Sequence, residues 1–487
     1  MAKLSLKELE TKLWACANVL RGSIDSSEYK DYIFWLLFLK RVSDVFLEQR
    51  EKIEEPFKDD KEEYDFYIPH KALFSELLKK SDNIWEEINK SLEAIEDENT
   101  ILQWVLVTID YNDKNKLSDE ALKKLLDYMN ELDLSNANLE NPDILWQWYE
   151  YLIKQFADDG GKKWWEFYTP KEVVAVLTHT ADITEWMKIV DWNCGSWWIL
   201  VSCVDELKRK WMNRKDLTIH WQEKNRTTWA IAKLNMFLHN ILDARIEHGD
   251  SMSNPKLIND WELMRYDRVL ANPMRNQKEW SREELEKWDV FGRIKYSLPP
   301  KSSADWMWIQ HMFASLNSKW RMWVVLDNWV LFRWAKEWEI RQWFIKDDFI
   351  DCVIWLPDNL FYNTSAPWCI VILKKAKDEQ RKWKILLIDA SKEYEEWKNQ
   401  NKLRQQDIQK ITDTYLNFKQ VEWYSYIANF EEIKENDFNL NIARYVDNQE
   451  QEEEIDIAQT YTELQNLYTQ REQSKNKVDD YIKELEF

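Results

Sequence analysis

The chain has 487 residues, 45% hydrophobic and 32% charged, the composition of a soluble protein with core enough for two or three domains. It lacks the run of about eighteen apolar residues that a membrane-spanning helix needs. Its start, Met1-Ala2-Lys3-Leu4-Ser5, has no apolar signal core, so a cytoplasmic location is expected. Five cysteines without paired spacing read as reduced thiols, and six histidines form neither H-x-E nor H-E-x-x-H, which argues against a zinc enzyme. A net charge of -21 disfavours unaided binding to nucleic acid.

One feature of the composition is abnormal. There are 6 glycines and 31 tryptophans, whereas glycine ordinarily makes up about 7% of a chain. Many tryptophans occupy turn contexts that suit glycine: Trp164-Trp165 after Gly160-Gly161, Trp197-Trp198 after Cys194-Gly195-Ser196, Trp320 and Trp323 at a strand start, Trp355 before Leu356-Pro357, Trp383 between lysines, and Trp397 between Glu396 and Lys398. Positive φ costs a residue with a side chain roughly 1–2 kcal/mol. The pattern is that of a gene whose UGA codons mean glycine, translated as if they meant tryptophan. Trp14, Trp229 and Trp306, in apolar helical contexts, are expected to be genuine.

Residues 1–150 read as a helical, charge-rich domain. Ser27–Phe34 leads into Leu36–Val42 with helical apolar spacing. A second helix is expected from the N-cap Ser118 to about Leu134, and a third from Asp143 to the Asp158–Gly161 loop. From 151 to 445 short apolar runs alternate with helical stretches, as in a parallel α/β sheet. Strands are expected at Lys188–Asp191, Leu217–His220, Tyr266–Ala271, Met322–Asp327, Phe349–Leu356, Cys369–Leu373 and Ile385–Asp389, with a possible further one before His248. Helices are expected at Thr228–His239, Ala304–Leu316 and Glu337–Ile345. Residues 446–487 read as an acidic helical tail whose sparse apolar stripe (Ile455, Ile457, Tyr461, Leu464, Leu467, Tyr468) suits either a docking helix or a solvated one.

Two motifs carry chemistry. Asp191-Trp192-Asn193-Cys194-Gly195-Ser196-Trp197-Trp198 follows the first strand, and with glycine at 197 and 198 it becomes a turn against which a ligand lies on bare backbone at a helix N-terminus. Glu223 after the second strand suits ribose hydroxyls, and Asp250 after the third suits an adenine amino group; each is also an ordinary loop carboxylate until placed. The second motif is Asn272-Pro273-Met274-Arg275, closing the strand Tyr266–Ala271.

With these residues in hand, the chain resembles the modification (methyltransferase) subunit of type I restriction–modification systems, a family of adenine-specific DNA methyltransferases. The likeness spans Leu20–Asp25 with Leu37–Lys40, Glu166-Phe167-Tyr168-Thr169-Pro170 with Lys171, Asp191–Trp198, Trp221-Gln222-Glu223, Asn225 to Met236, the Asn272 motif and Leu356–Phe361. It implies a Rossmann-like, mostly parallel seven-stranded domain that uses S-adenosylmethionine, preceded by an all-α domain and followed by a helical tail. In such a domain Asn272 Oδ1 and the Pro273 carbonyl accept from the N6 amino group of an adenine flipped out of the duplex. Glu166–Lys171, Asp191, Cys194–Trp198, Glu223 and Asp250 surround the donor. Family members carry an aromatic residue where this chain has Arg275; Phe361 and Phe167 are further candidates to stack on the base. The implied partners are double-stranded DNA, a specificity subunit carrying two copies of this chain, and a restriction subunit. The alternatives are a catalytically impaired structural subunit and an N-P-x-x methyltransferase acting on RNA or protein.

Overall fold

The computed structural model describes residues 3–21, 26–106, 117–139, 169–193, 195, 198–239, 241–274, 277, 280–361, 366–397, 400–447 and 457–484. The expected helix from Asp143 lies outside them. The N-terminal part is helical, with α1 (Leu6–Leu20), α2 (Ser26–Lys52), α3 (Ile84–Glu98) and α4 (Asp119–Asn130). Ser118 caps α4 as expected, its Oγ accepting from Ala121 N–H at 3.2 Å. The helix stops at Asn130 rather than near Leu134, and the Leu134 carbonyl instead receives the buried Arg41 guanidinium. In α2, Tyr32 to Ser43 are all buried, so this helix is the centre of its domain rather than an amphipathic surface helix. Phe38 and Phe66 both meet Phe237 of the following domain, at ring distances of 5.9 and 4.7 Å.

The remainder is built on a sheet of β1 (Lys188–Asp191), β2 (Thr218–Glu223), β3 (Arg245–His248), β4 (Tyr266–Ala271), β5 (Leu316–Asp327), β6 (Ile350–Trp355), β7 (Trp368–Lys374), β8 (Lys384–Asp389) and β9 (Ser425–Asn429). Their order is 9-8-6-7-5-4-1-2-3. β7 lies antiparallel between β5 and β6, β9 pairs antiparallel with β8, and all other pairings are parallel. The described sheet thus has nine strands: the seven expected, β3 at the edge beside β2 where a further strand before His248 was possible, and β9, which pairs with β8 at the opposite edge.

Side chains alternate between two apolar clusters, as a period of two requires: Ile189 and Leu270 face one, Val190 and Val269 the other. The first cluster includes the N-terminal domain and the helices α5 (Lys171–Ala181), α6 (Trp198–Arg209), α7 (Arg226–Leu238) and α10 (Gln405–Leu416). The second packs α8 (Asp305–Ala314) and α9 (Lys336–Lys346). The tail forms α11 (Ile457–Glu484), whose Tyr461, Leu464, Leu467 and Tyr468 are exposed. No helix among the described residues is long and apolar enough to cross a membrane.

The tryptophan pattern has a backbone counterpart. Trp104, Trp186, Trp211, Trp261, Trp383 and Trp423 all have φ between 58° and 67°. Inside the core, the indole N–H groups of Trp221, Trp280, Trp306, Trp308, Trp320 and Trp323 are buried without a hydrogen-bond partner among the described residues, although a buried tryptophan normally finds one. Trp320 and Trp323 sit within β5 rather than in a turn at its start, and Trp355 ends β6. Of the three expected to be genuine, Trp229 fits best, its N–H donating to the Ile246 carbonyl at 3.2 Å. Trp14 is partly exposed, and Trp306 fits worst.

Candidate active site at the carboxyl ends of β1, β2 and β4

In a parallel sheet the carboxyl ends of the strands open onto the crevice where ligands bind. β1 ends at Asp191, which is buried. Its Oδ1 accepts from Asn193 N–H at 2.9 Å, bending the chain into the loop, while Oδ2 is buried without a partner among the described residues. β2 runs three residues beyond its expected end, so Glu223 is its last residue rather than part of a loop. Glu223 Oε2 accepts from Gly195 N–H at 3.2 Å and Oε1 from Asn225 N–H at 2.7 Å. The Glu223 carboxylate therefore braces the loop after β1 from beneath. It keeps lone pairs free for further donors, since a carboxylate has about four acceptor sites. Gly195 has φ 32°, a left-handed conformation that suits glycine. Cys194, Ser196 and Trp197 lie outside the described residues.

α6 starts at Trp198 with its first-turn N–H groups directed toward this loop. The Trp198 indole is buried under the Lys171 ammonium, which lies 5.3 Å from the ring centroid. Trp192 does not enter the loop; its N–H donates to Ser315 Oγ at 2.9 Å and its ring packs on His311.

Burial pushes the Asp191 carboxyl up to about 7; the Asn193 N–H pulls it back and the Glu223 charge adds to the rise. Glu223 is also raised, again chiefly by burial. An acid whose folded value exceeds its unfolded one, near 4, binds more protons folded than unfolded between those values. Its stability contribution is therefore intact below about pH 4 and declines as pH rises toward 7. Asn at 191 keeps the acceptor for Asn193 without titrating. D191N should accordingly lose less thermal stability than the unaltered chain between about pH 5 and 7; parallel losses in the two proteins would contradict this assignment.

Asp250, one residue after Gly249, is less free than expected. Its Oδ2 accepts from Lys224 Nζ at 2.7 Å and its Oδ1 from Met252 N–H at 2.8 Å, closing a turn beside β2. Gly249 N–H donates to the Glu223 carbonyl, tying the ends of β2 and β3 together.

β4 pairs with β1 in register Val190 to Val269. Counting on, Asn272 emerges level with Asn193. Asn272 Nδ2 donates to Thr169 Oγ1 at 2.9 Å. Thr169 is buried and precedes Pro170, the N-cap of α5, so one side of the Asn272 amide is anchored to the segment before that helix. Its other side, Oδ1, is buried with no partner among the described residues. An unbonded buried carbonyl costs about 1–3 kcal/mol, which is sustained where a ligand brings the missing N–H. Met274 is exposed, while Arg275 and Glu166–Tyr168 lie outside the described residues.

Phe361 is not available to stack on a base. It is buried and stacked on Trp368 with centroids 4.2 Å apart. Its segment, Leu356–Phe361, is pinned by a hairpin (Glu395–Trp397 with Gln400–Lys402): Asn401 N–H donates to the Asn359 carbonyl and Asn401 Nδ2 to the Asp358 carbonyl, both at 2.9 Å. The sequence reading missed Thr169 as the partner of Asn272, since the two are 103 residues apart. Among the described residues there is no group of three or more His, Cys, Asp or Glu able to hold a metal ion.

Comparison with known proteins matches this arrangement to a family. A model of the N-6 DNA Methylase covers residues 140–454, and one of the HsdM N-terminal domain covers residues 9–129. The chain is 33% identical to the type I restriction enzyme MjaVIII methylase subunit of Methanocaldococcus jannaschii, over 99% of this chain and 85% of that one. It is 26% identical to the MpnII methylase subunit of Mycoplasma pneumoniae, over 98% and 96%. The crystal structure of the type I restriction-modification system methyltransferase subunit from Streptococcus thermophilus superposes with a TM-score of 0.79 at 28% identity, covering 91% of this chain and all of the other. With its helical N-terminal domain, its β1 and β4 loops and likeness over nearly its whole length, the chain belongs to the N-6 DNA methylases, among the methylase subunits of type I restriction enzymes.

Proposed function

We propose that the chain transfers a methyl group from S-adenosylmethionine to the exocyclic N6 of an adenine in duplex DNA, after that base has left the stack. The observation that supports this reading is Asn272: Thr169 fixes its amide so that its buried oxygen, without a partner among the described residues, is left for an N–H donor such as a flipped adenine would bring. The donor fits the crevice beside it, against Gly195 and the first turn of α6, with Asp191 Oδ2, which has no partner among the described residues, and the lone pairs of Glu223 as acceptors.

Bound there, S-adenosylmethionine supplies an electrophilic methyl group. The Asn272 oxygen and the Pro273 carbonyl accept from the N6 amino group, which draws its lone pair out of conjugation and aims it at that methyl. The donor would supply that methyl by giving up its sulfonium C–S bond as N6 gains the N–C bond, and the surplus N6 proton would pass to solvent. Excess negative charge argues that DNA is held mainly by partners: a specificity subunit carrying two copies of this chain, joined by a restriction subunit, with α11 and its exposed apolar stripe as the docking element. The test is transfer of labelled methyl from S-adenosylmethionine to duplex DNA by the chain with its specificity subunit. Label on N6-methyladenine is the expected product; unlabelled DNA, with label on RNA or protein, would replace this reading.

A further inference from the structure

A buried cation lies on the far side of the Asp250 turn. Arg293 belongs to the connection between β4 and α8 and is 2% exposed. Its Nε donates to Asp289 Oδ1 at 2.8 Å, and Asp289 Oδ2 accepts from Ile294 N–H at 2.8 Å, so the charge is balanced within its own loop. Its Nη1 reaches out of that loop to the Met252 carbonyl at 2.7 Å, with Ser251 O at 3.5 Å and His311 Nδ1 at 3.4 Å. His311 is held neutral by burial and so accepts from the guanidinium.

The gripped turn is the one that Asp250 closes through Met252 N–H. From its other side, Ser251 Oγ donates to the Trp192 carbonyl at 2.9 Å, one residue after Asp191. A continuous chain of polar contacts therefore runs from Asp289 through Arg293 and residues 251–252 to the β1 loop. Burying a guanidinium is costly unless its bonds are made, and here they are spent on the turn of Asp250, the carboxylate expected to meet the donor's adenine amino group.

We propose that Arg293 is a positioning residue for the methyl donor: it holds the Asp250 turn against the Asp191 loop and so sets the pocket for the donor's adenine ring. The assignment rests on the reading of this crevice as the S-adenosylmethionine site. Lys at 293 keeps the charge but not the fork that joins Asp289 to Met252.

Equilibrium binding of S-adenosylmethionine to the full chain tests it. R293K and S251A should each weaken binding about tenfold, as a small misplacement does. The double variant should bind no more weakly than R293K, because both cut one chain of contacts. In the complex with its specificity subunit, the loss should fall on KM for the donor rather than on kcat. Donor binding that R293K leaves intact, or losses that simply add, overturns the proposal. If R293K does not fold, S251A, which loses one hydroxyl and no charge, decides it by the same criterion of full affinity. An unaltered chain that binds no donor overturns the functional reading and this proposal together.

Discussion

Glycine at positions 104, 186, 211, 261, 383 and 423 together is expected to stabilise the chain by about 5 kcal/mol. Each of these tryptophans holds φ between 58° and 67°, a region costing a residue with a side chain roughly 1–2 kcal/mol and glycine almost nothing. Glycine's greater freedom in the unfolded chain offsets about half of that gain. Little packing is lost in exchange, since all six side chains are exposed, Trp211 at 96%. The positions lie in separate turns, so their effects add. A shift of about 5 kcal/mol is a large fraction of an ordinary stability of about 5–15 kcal/mol, and urea unfolding of the two proteins side by side reads it directly. An unmoved midpoint would mean the turns tolerate indole. The protein isolated from its source should likewise be lighter than the 59.5 kDa of this sequence, with UGA at these codons. It bears on the site as well. A glycine at 198 clears the first turn of α6, where an indole now lies under Lys171.

The parts legible in the sequence were those where one local rule dominates. β1 and β4 have the expected bounds, because Ile189-Val190 and Val269-Leu270-Ala271 are buried apolar runs that stop abruptly at the polar Asp191 and Asn272. β2 was read three residues short, since Trp221-Gln222-Glu223 looks like the start of a loop motif. β9 was missed: Ser425–Asn429 is a short edge strand of mixed polarity, half-buried, joined to the sheet by its antiparallel pairing to β8. The site shows the same division. Asp191, Glu223 and Asn272 stand out because strand ends mark them. Their relations do not, since Thr169 meets Asn272, and Arg293 meets Met252, only across the folded chain. No spacing rule encodes a contact of that range. Glu223 shows the limit most clearly. Its position was legible, yet its engagement with the Gly195 and Asn225 amides follows from the extra length of β2.

Asn272→Ala is expected to lower kcat for methyl transfer by about 10²–10³-fold or more, the usual effect of removing one preorganised polar group from a reacting centre. Donor binding should stay close to that of the unaltered chain, because the described hydrogen bond of the Asn272 side chain is to Thr169, not to the β1 loop. Two further variants separate orientation from mere presence. Asn272→Asp keeps an oxygen acceptor and should lose less than Asn272→Ala. Thr169→Ala leaves the amide in place but removes the hydroxyl that fixes which end faces the crevice, so it should fall between Asn272→Ala and the unaltered chain. Both substitutions are isosteric or smaller, so overpacking does not confuse the comparison. Single-turnover methylation of duplex DNA by the chain with its specificity subunit measures all three. The order Ala worst, then Thr169→Ala, then the unaltered chain follows only if the buried Asn272 oxygen is what the substrate amino group meets. Equal activity of Asn272→Ala and the unaltered chain would move the chemistry to another strand end.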